Sequence, residues 1–248
     1  MPLRSAAFVG VVGGAGTTRT VIELGGALAR DGRSALVFDL DFATQGCSRF
    51  VDERIDPDAT ALLGDPDVSL TDAVHDLPVP GTGRLGIVPA HAPISEIAGA
   101  ASSAAGERVA ERLEAASDIF DHVLFDVPPV VSNPAIGGVT AADTVIAVIP
   151  STQRGVDSLP RERGRLADLG RAFDLVLGIG QTDLPPDGDA AISTLPETAP
   201  EFRPVTLEGG GSFVERVRGV AETVFDVTLD DPPDSGTGVV ETIKRQFP

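Results

Sequence analysis

The sequence predicts an α/β fold, a doubly wound and mostly parallel sheet with helices on both faces. Three observations predict it. Apolar, β-rich runs alternate with helical stretches along most of the chain. Most of those runs are continuous, as strands buried on both faces are, and not alternating. The first run feeds a glycine-rich turn that opens a helix, Val12-Gly13-Gly14-Ala15-Gly16-Thr17-Thr18. Strand, glycine turn and helix together are the context of a nucleotide phosphate site.

Strands are expected at 6–12, 34–39, 85–88, 122–126, 144–149, 175–180 and 190–195. Helix 18–30 places Val21, Leu24, Ala27 and Leu28 on one face and stops at Gly32. A second helix covers 105–116, with Val109 and Leu113 one turn apart, and a third runs from near Val156 towards Gly170. A fourth starts at Ser212, where Ser212 and Glu215 have capping-box spacing. Phe213, Val217, Val220 and Val224 share its apolar face. Residues 52–69, 181–189 and 230–238 carry the Pro, Gly and Asp of loops. These features divide the chain into a domain, 1–229, and a linker with a short tail, 230–248.

Composition narrows the function classes. The chain has 248 residues, is 42% hydrophobic and has a single cysteine, Cys47, so an internal disulfide is excluded. It has no apolar run of about 18 residues and no signal-peptide pattern, which leads us to expect a cytoplasmic protein. Its 37 acidic against 19 basic residues give a net charge of −18, and Lys244 is its only lysine. Such a surface repels itself unless salt screens it. A salt-in halophile, haloarchaeal in type, is one origin of this composition; a GC-rich genome that replaces lysine with arginine is the other. Either way the charge opposes binding to nucleic acid.

Three strand ends carry matched chemistry. Backbone N–H groups of Gly13, Gly14, Ala15, Gly16, Thr17 and Thr18 form a phosphate cradle at a helix N-terminus. Asp39 and Asp41 leave the second strand two residues apart. Asp126 ends the apolar run His122-Val123-Leu124-Phe125, the form of a Walker B strand. Thr18, Asp39 and Asp126 offer the hard oxygen donors that Mg²⁺ takes. The plain alternative is a tight turn and two strand ends with no ligand.

These elements resemble the ParA/MinD group of P-loop ATPases, a SIMIBI-class family with a deviant Walker A loop, K-G-G-x-G-K-[ST]-[ST]. Gly13, Gly14, Gly16 and Thr18 match that loop, and Asp126-Val127-Pro128-Pro129 matches the family's D-x-P-P. Ala142-Asp143-Thr144-Val145-Ile146, Leu85-Gly86-Ile87-Val88-Pro89 and Ile192 to Glu197 are similar to its later segments. The resemblance implies ATP or ADP with Mg²⁺, Asp39 near the metal and Asp41 positioning the attacking water. It implies a nucleotide-dependent positioning, partitioning or regulatory switch with an unknown protein partner, and it leaves a homodimer open. Base recognition falls on Gln181, with Asp183 after it.

Both family lysines are replaced, one by Val12 and the other by Thr17. Losing one preorganised donor costs about 10²–10³ in rate. Slow or absent hydrolysis is therefore expected, and a pseudo-ATPase scaffold is the rival reading. Arg19 is the candidate compensating cation, against a solvent-facing helix residue. Arg161, Arg163, Arg165 and Arg171 read as a salt-bridged solvated face, with a docking surface as the alternative. Cys47 reads as a small buried residue, and His75, His91 and His122 as structural. Val239, Val240, Ile243 and Phe247 give the tail one apolar face. Packing on the protein or a partner is preferred there to membrane contact, because one weak anchor binds a membrane marginally.

Overall fold

A computed structural model of the protein describes residues 4–181, 183–196, 199 and 201–230. Its eight strands are β1 (Arg4–Gly10), β2 (Ser34–Asp39), β3 (His75–Leu77), β4 (Arg84–Val88), β5 (His122–Val127), β6 (Thr144–Pro150), β7 (Leu175–Ile179) and β8 (Ala190–Ile192). They form one sheet in the order β3-β4-β2-β5-β1-β6-β7-β8. Every pairing is parallel except β3 with β4. Strands β1, β2 and β5 are buried almost throughout, which explains their unbroken apolar sequence.

Helices α1 (Thr17–Arg30), α2 (Ala59–Gly64), α3 (Leu70–Ala73), α4 (Ile94–Ala100), α5 (Ser103–Ala116), α6 (Asn133–Ala141), α7 (Gln153–Asp168) and α8 (Ser212–Phe225) complete the fold. Two apolar clusters flank the sheet. One gathers α1 and α8 around Phe8, Leu24, Leu28 and Phe225; the other gathers α2, α5 and α6 around Phe38, Phe125 and Leu63. The doubly wound layering expected from the sequence is therefore present.

Several boundaries and caps differ from expectation. β1 ends at Gly10, so Val11 and Val12 already belong to the loop, although Val11 N–H still reaches Val148 O. β8 stops at Ile192, not at 195. α7 begins at Gln153, ahead of Val156, because Thr152 caps it through Gly155 N–H. The capping box at Ser212 does not form: Gly211 occupies the N-cap position and no side chain caps that end. Residues 52–69 are not all loop, because Asp58 caps α2 by accepting from Ala61 N–H. Helix α1 is buried on nearly every side, since α8 and a 3-10 turn at Val205–Leu207 cover the face that the sheet does not. The tail residues Val239, Val240, Ile243 and Phe247 lie outside the described residues.

Candidate functional site

The topology brings three chain segments to one edge of the sheet. β2, β5 and β1 are adjacent, so Asp39, Asp126 and the loop after Gly10 meet at their carboxyl ends. Asp39 and Asp126 stand opposite each other in the β2–β5 register. Such a crevice is where open parallel sheets bind ligands.

The loop reaches α1 by two left-handed residues, Gly14 at φ 76° and Gly16 at φ 90°. A side chain at either would be strained. Gly16 is also the N-cap of α1, and no side chain satisfies that end. The backbone N–H groups of residues 12–16 meet no acceptor among the described residues. Unpaired donors beside a helix N-terminus favour an anion. Val12 and Ala15 turn into the core, whereas Gly13 and Gly14 are exposed. Thr17 packs beneath the loop, where a Cβ at Gly10 would stand 2.6 Å from its Oγ1. Above the loop lies a cleft of about 460 Å³, lined by Gly13, Gly14, Ala15, Gly16, Thr17, Thr18, Asp41 and Asp126 among others.

The three aspartates differ in their surroundings. Asp39 is fully buried and accepts from three backbone N–H groups: Asp41 at 2.9 Å, Cys47 at 3.2 Å and Ala90 at 3.4 Å. Burial, and then the charge of Asp126, push its carboxyl well above the usual range, against the pull of those donors. Asp126 is also buried and is pushed up to about 7 by desolvation, with Asp41 adding to the rise. The Thr18 hydroxyl and Cys47 thiol donate to Asp126 and oppose that shift. Asp41 lines the open cleft, its carboxylate held by Ala43 N–H and Thr44 N–H, each at 3.2 Å, and by the Thr44 hydroxyl at 2.7 Å.

Cys47 contributes more than a small buried filler does. Its Sγ is 3.8 Å from Asp126 Oδ2, and its ligand-type atom lies within 4.8 Å of those of Asp39 and Asp126. Burial, with two carboxylates beside it, pushes the thiol up.

Arg19 neither folds back over the loop nor faces solvent. Its Nε donates to Glu23 at 2.7 Å, and its terminal nitrogens donate to the carbonyls of Glu201 and Arg203, each at 3.0 Å. Glu23 is buried and also accepts from Val205 N–H, Thr206 N–H and the Thr206 hydroxyl, each at 3.0 Å. This network ties segment 201–206 to α1. Helical periodicity gives no sign of it, because its partners lie more than 180 residues away. The same segment brings Glu201 and Phe202 to the cleft wall, together with Arg49 and Phe50 from the 3-10 turn Gly46–Phe50. Sequence reading passed over these four residues; the alternation of arginine and phenylalanine around them was the available signal.

A second cleft, of about 170 Å³, adjoins Gly16 and is walled by Ile179, Gly180, Ile192, Ser193, Thr194 and Leu195 with part of α8. Neither Gln181 nor Asp183 is among the residues lining either cleft. The Gln181 side chain lies back over Gly178, where a Cβ would collide with it, and its Nε2 is buried without a hydrogen-bond partner among the described residues. Gly178 is the vacancy that lets it fold inward. Glu197 lies outside the described residues.

The remaining singled-out residues are structural. Arg163 pairs with Asp187 at 3.1 Å, Arg165 pairs with Glu162 at 2.6 Å, and Arg171 donates to Ala142 O. Glu162, however, is wholly buried and accepts from Val130 N–H, so this face is not solvated throughout. His75 bonds Glu53, His91 is exposed, and His122 is buried edge-on to Phe225.

Comparisons with known proteins agree with this architecture. A family model described as an AAA domain matches residues 4–162. The chromosome partitioning protein ParA of Caulobacter vibrioides is 35% identical over 153 residues, 58% of this chain and 55% of that protein, so the match spans about half its length. The maintenance of carboxysome distribution protein A of Gloeothece citriformis is 27% identical over 219 residues, 81% of each chain. Among solved structures, the septum site-determining protein MinD of Pyrococcus horikoshii, complexed with Mg-ADP, superposes with a TM-score of 0.72 at 19% identity, covering 90% of this chain and 96% of that one. A variant of Cyanothece McdA in complex with ATP gives the same score and identity over 93% and 99%. No helix among the described residues is long and apolar enough to cross a membrane. With strand order, loop and family match in agreement, the chain belongs to this AAA domain family, in its ParA/MinD-like group of P-loop ATPases.

Proposed function

We propose that this protein binds ATP or ADP with Mg²⁺ in the larger cleft and works as a nucleotide-dependent positioning, partitioning or regulatory switch with slow hydrolysis. The observation that carries this reading is the row of N–H groups at residues 12–16, without an acceptor among the described residues, beside two buried carboxylates. The N–H groups bind phosphate oxygens without needing a lysine. The smaller cleft beside Gly180 and Leu195 would take the ribose and base.

The donor set fits Mg²⁺, because Asp39 and Asp126 are buried side by side, and burial above all, with neighbouring carboxylates adding to it, holds both carboxyls above their usual range. Thr18 and Asp126 would hold it. Asp39, whose carboxylate accepts from three backbone N–H groups, would stand beside the metal and its waters. When bound, Mg²⁺ neutralises phosphate charge. Asp41, kept in place by Ala43 and Thr44, would orient the water for attack on the γ-phosphorus, opposite the leaving ADP.

The rival is a pseudo-ATPase scaffold. It is favoured by the burial of Val12 and by Thr17 packed beneath the loop, neither of which brings a positive charge to the phosphate site. Mg-ATP binding and turnover in high KCl, for the wild type and Asp41→Ala, separate the two. Binding with turnover that Asp41→Ala abolishes supports the switch enzyme. Binding without turnover in either protein supports the scaffold or sensor. The absence of any binding removes the nucleotide reading. The partner is a protein, a second copy of this chain included, because a charge of −18 opposes nucleic acid. The working compartment is the cytoplasm.

A further inference from the structure

We infer that Arg49 supplies the phosphate-binding cation that the loop lacks, and that Glu201 is the resting counter-ion it leaves when a polyphosphate binds. The inference rests on the nucleotide reading above. Arg49 and Arg19 are the two cations lining the cleft among the described residues. Arg19 is committed to Glu23 and to two backbone carbonyls, with its side chain 21% exposed. Moving it would leave Glu23 buried without that charge. Arg49 differs in each respect. Its side chain is 62% exposed, and its ion pair is with Glu201 at 3.0 Å, itself 72% exposed. A pair exposed on both sides is worth little and exchanges readily for a stronger anion.

The local geometry directs Arg49 to the right place. It lies three residues after Gly46 in a 3-10 turn, where side chains at i and i+3 project from the same face. Gly46 rests on the first turn of α1, and a Cβ there would stand 2.8 Å from Thr18 Oγ1. Arg49 therefore projects from the face that touches the phosphate end of the cleft. Phe202 stacks under its guanidinium at 4.9 Å, which holds the group at the cleft wall while leaving its fork of donors for an anion. Segment 201–203 then gains or loses its contact with Arg49 according to whether phosphate is present. Occupancy is thereby passed to a surface segment far along the chain.

The test is calorimetric binding of Mg-ATP and of tripolyphosphate to the wild type, Arg49→Ala, Arg49→Lys, Glu201→Gln and, as a control for loss of one positive charge, Arg54→Ala. Arg54 is exposed, pairs with Asp56 and is not among the residues lining the cleft. Removing a charge-assisted contact should weaken both ligands about 10- to 100-fold in Arg49→Ala, with partial recovery in Arg49→Lys. Glu201→Gln should bind about 2- to 5-fold more tightly, because the competing ion pair is gone. Arg54→Ala should stay near wild type. Arg49→Ala binding as the wild type does, or losing no more than Arg54→Ala loses, overturns the inference while the nucleotide reading stands. A wild type that binds neither ligand overturns both.

Discussion

The Cys47 thiol lies 3.8 Å from Asp126 Oδ2, while the Cys47 backbone N–H donates to Asp39. One residue thus touches the final carboxylates of two neighbouring strands. Two buried acids side by side disfavour each other's ionisation, and a divalent ion would relieve that cost. Adding MgCl₂ to protein stripped with EDTA should therefore raise the melting temperature. Asp126→Asn should lose most of that response while melting higher than the wild type in EDTA. An equal Mg²⁺ response in both proteins would remove Asp126 from the metal set.

Thr17→Lys is expected to strengthen nucleotide binding and turnover. Thr17 stands where the family places its phosphate lysine, and its hydroxyl abuts Gly10. The new ammonium should tighten Mg-ATP about tenfold and raise turnover by about 10²–10³. Steady-state phosphate release is the readout. An unchanged rate would mean that the missing lysine is not what limits hydrolysis.

Glu23 should be among the least replaceable residues outside the loop. It is buried and serves Arg19, Val205, Thr206 and the Thr206 hydroxyl at once. Glu23→Ala takes the carboxylate from Arg19 and strands two N–H groups, at a cost of about 3–5 kcal/mol. Urea denaturation measures it, and a loss below about 1 kcal/mol would show that segment 201–206 is held by other contacts.

His122 predicts an acid limb of stability. Burial first, and then the Arg33 guanidinium, lower its pKa from 6.5 to about 4, and neither ring nitrogen has a partner among the described residues. The unfolded chain takes up the proton first as pH falls. The stabilisation is therefore complete above about pH 6.5 and is lost as pH falls through about 4. It amounts to about 3 kcal/mol. His122→Leu should flatten stability between those values, measured by chemical denaturation at several pH values. The same slope in both proteins would place the acid sensitivity elsewhere.

Much of the fold was legible because its signals are local. The unbroken apolar run into Asp126 marks a central strand, and Gly13 to Thr18 marks a turn that only glycine-rich backbone makes. Short elements were less legible. Strand β3 has three residues and pairs antiparallel only because β4 presents a free edge to it. Ser212 has capping-box spacing, but Gly211 holds that position instead. Arg19 could not be placed from its own neighbourhood, since helix periodicity says which face a residue takes and not which distant carbonyl it meets.

The sequence by itself determined the layered α/β architecture, the glycine-rich loop, the three aspartates at strand ends and the absence of lysine from residues 12–18. These follow from residue type and spacing within single segments. The tertiary structure decided how those parts are used. It gave Asp39 three N–H donors, set Cys47 between two carboxylates, bound Arg19 to segment 201–206 and left Arg49 paired at the cleft wall. Each of these depends on contacts between residues far apart in the chain, and folding alone brings such partners within hydrogen-bond reach.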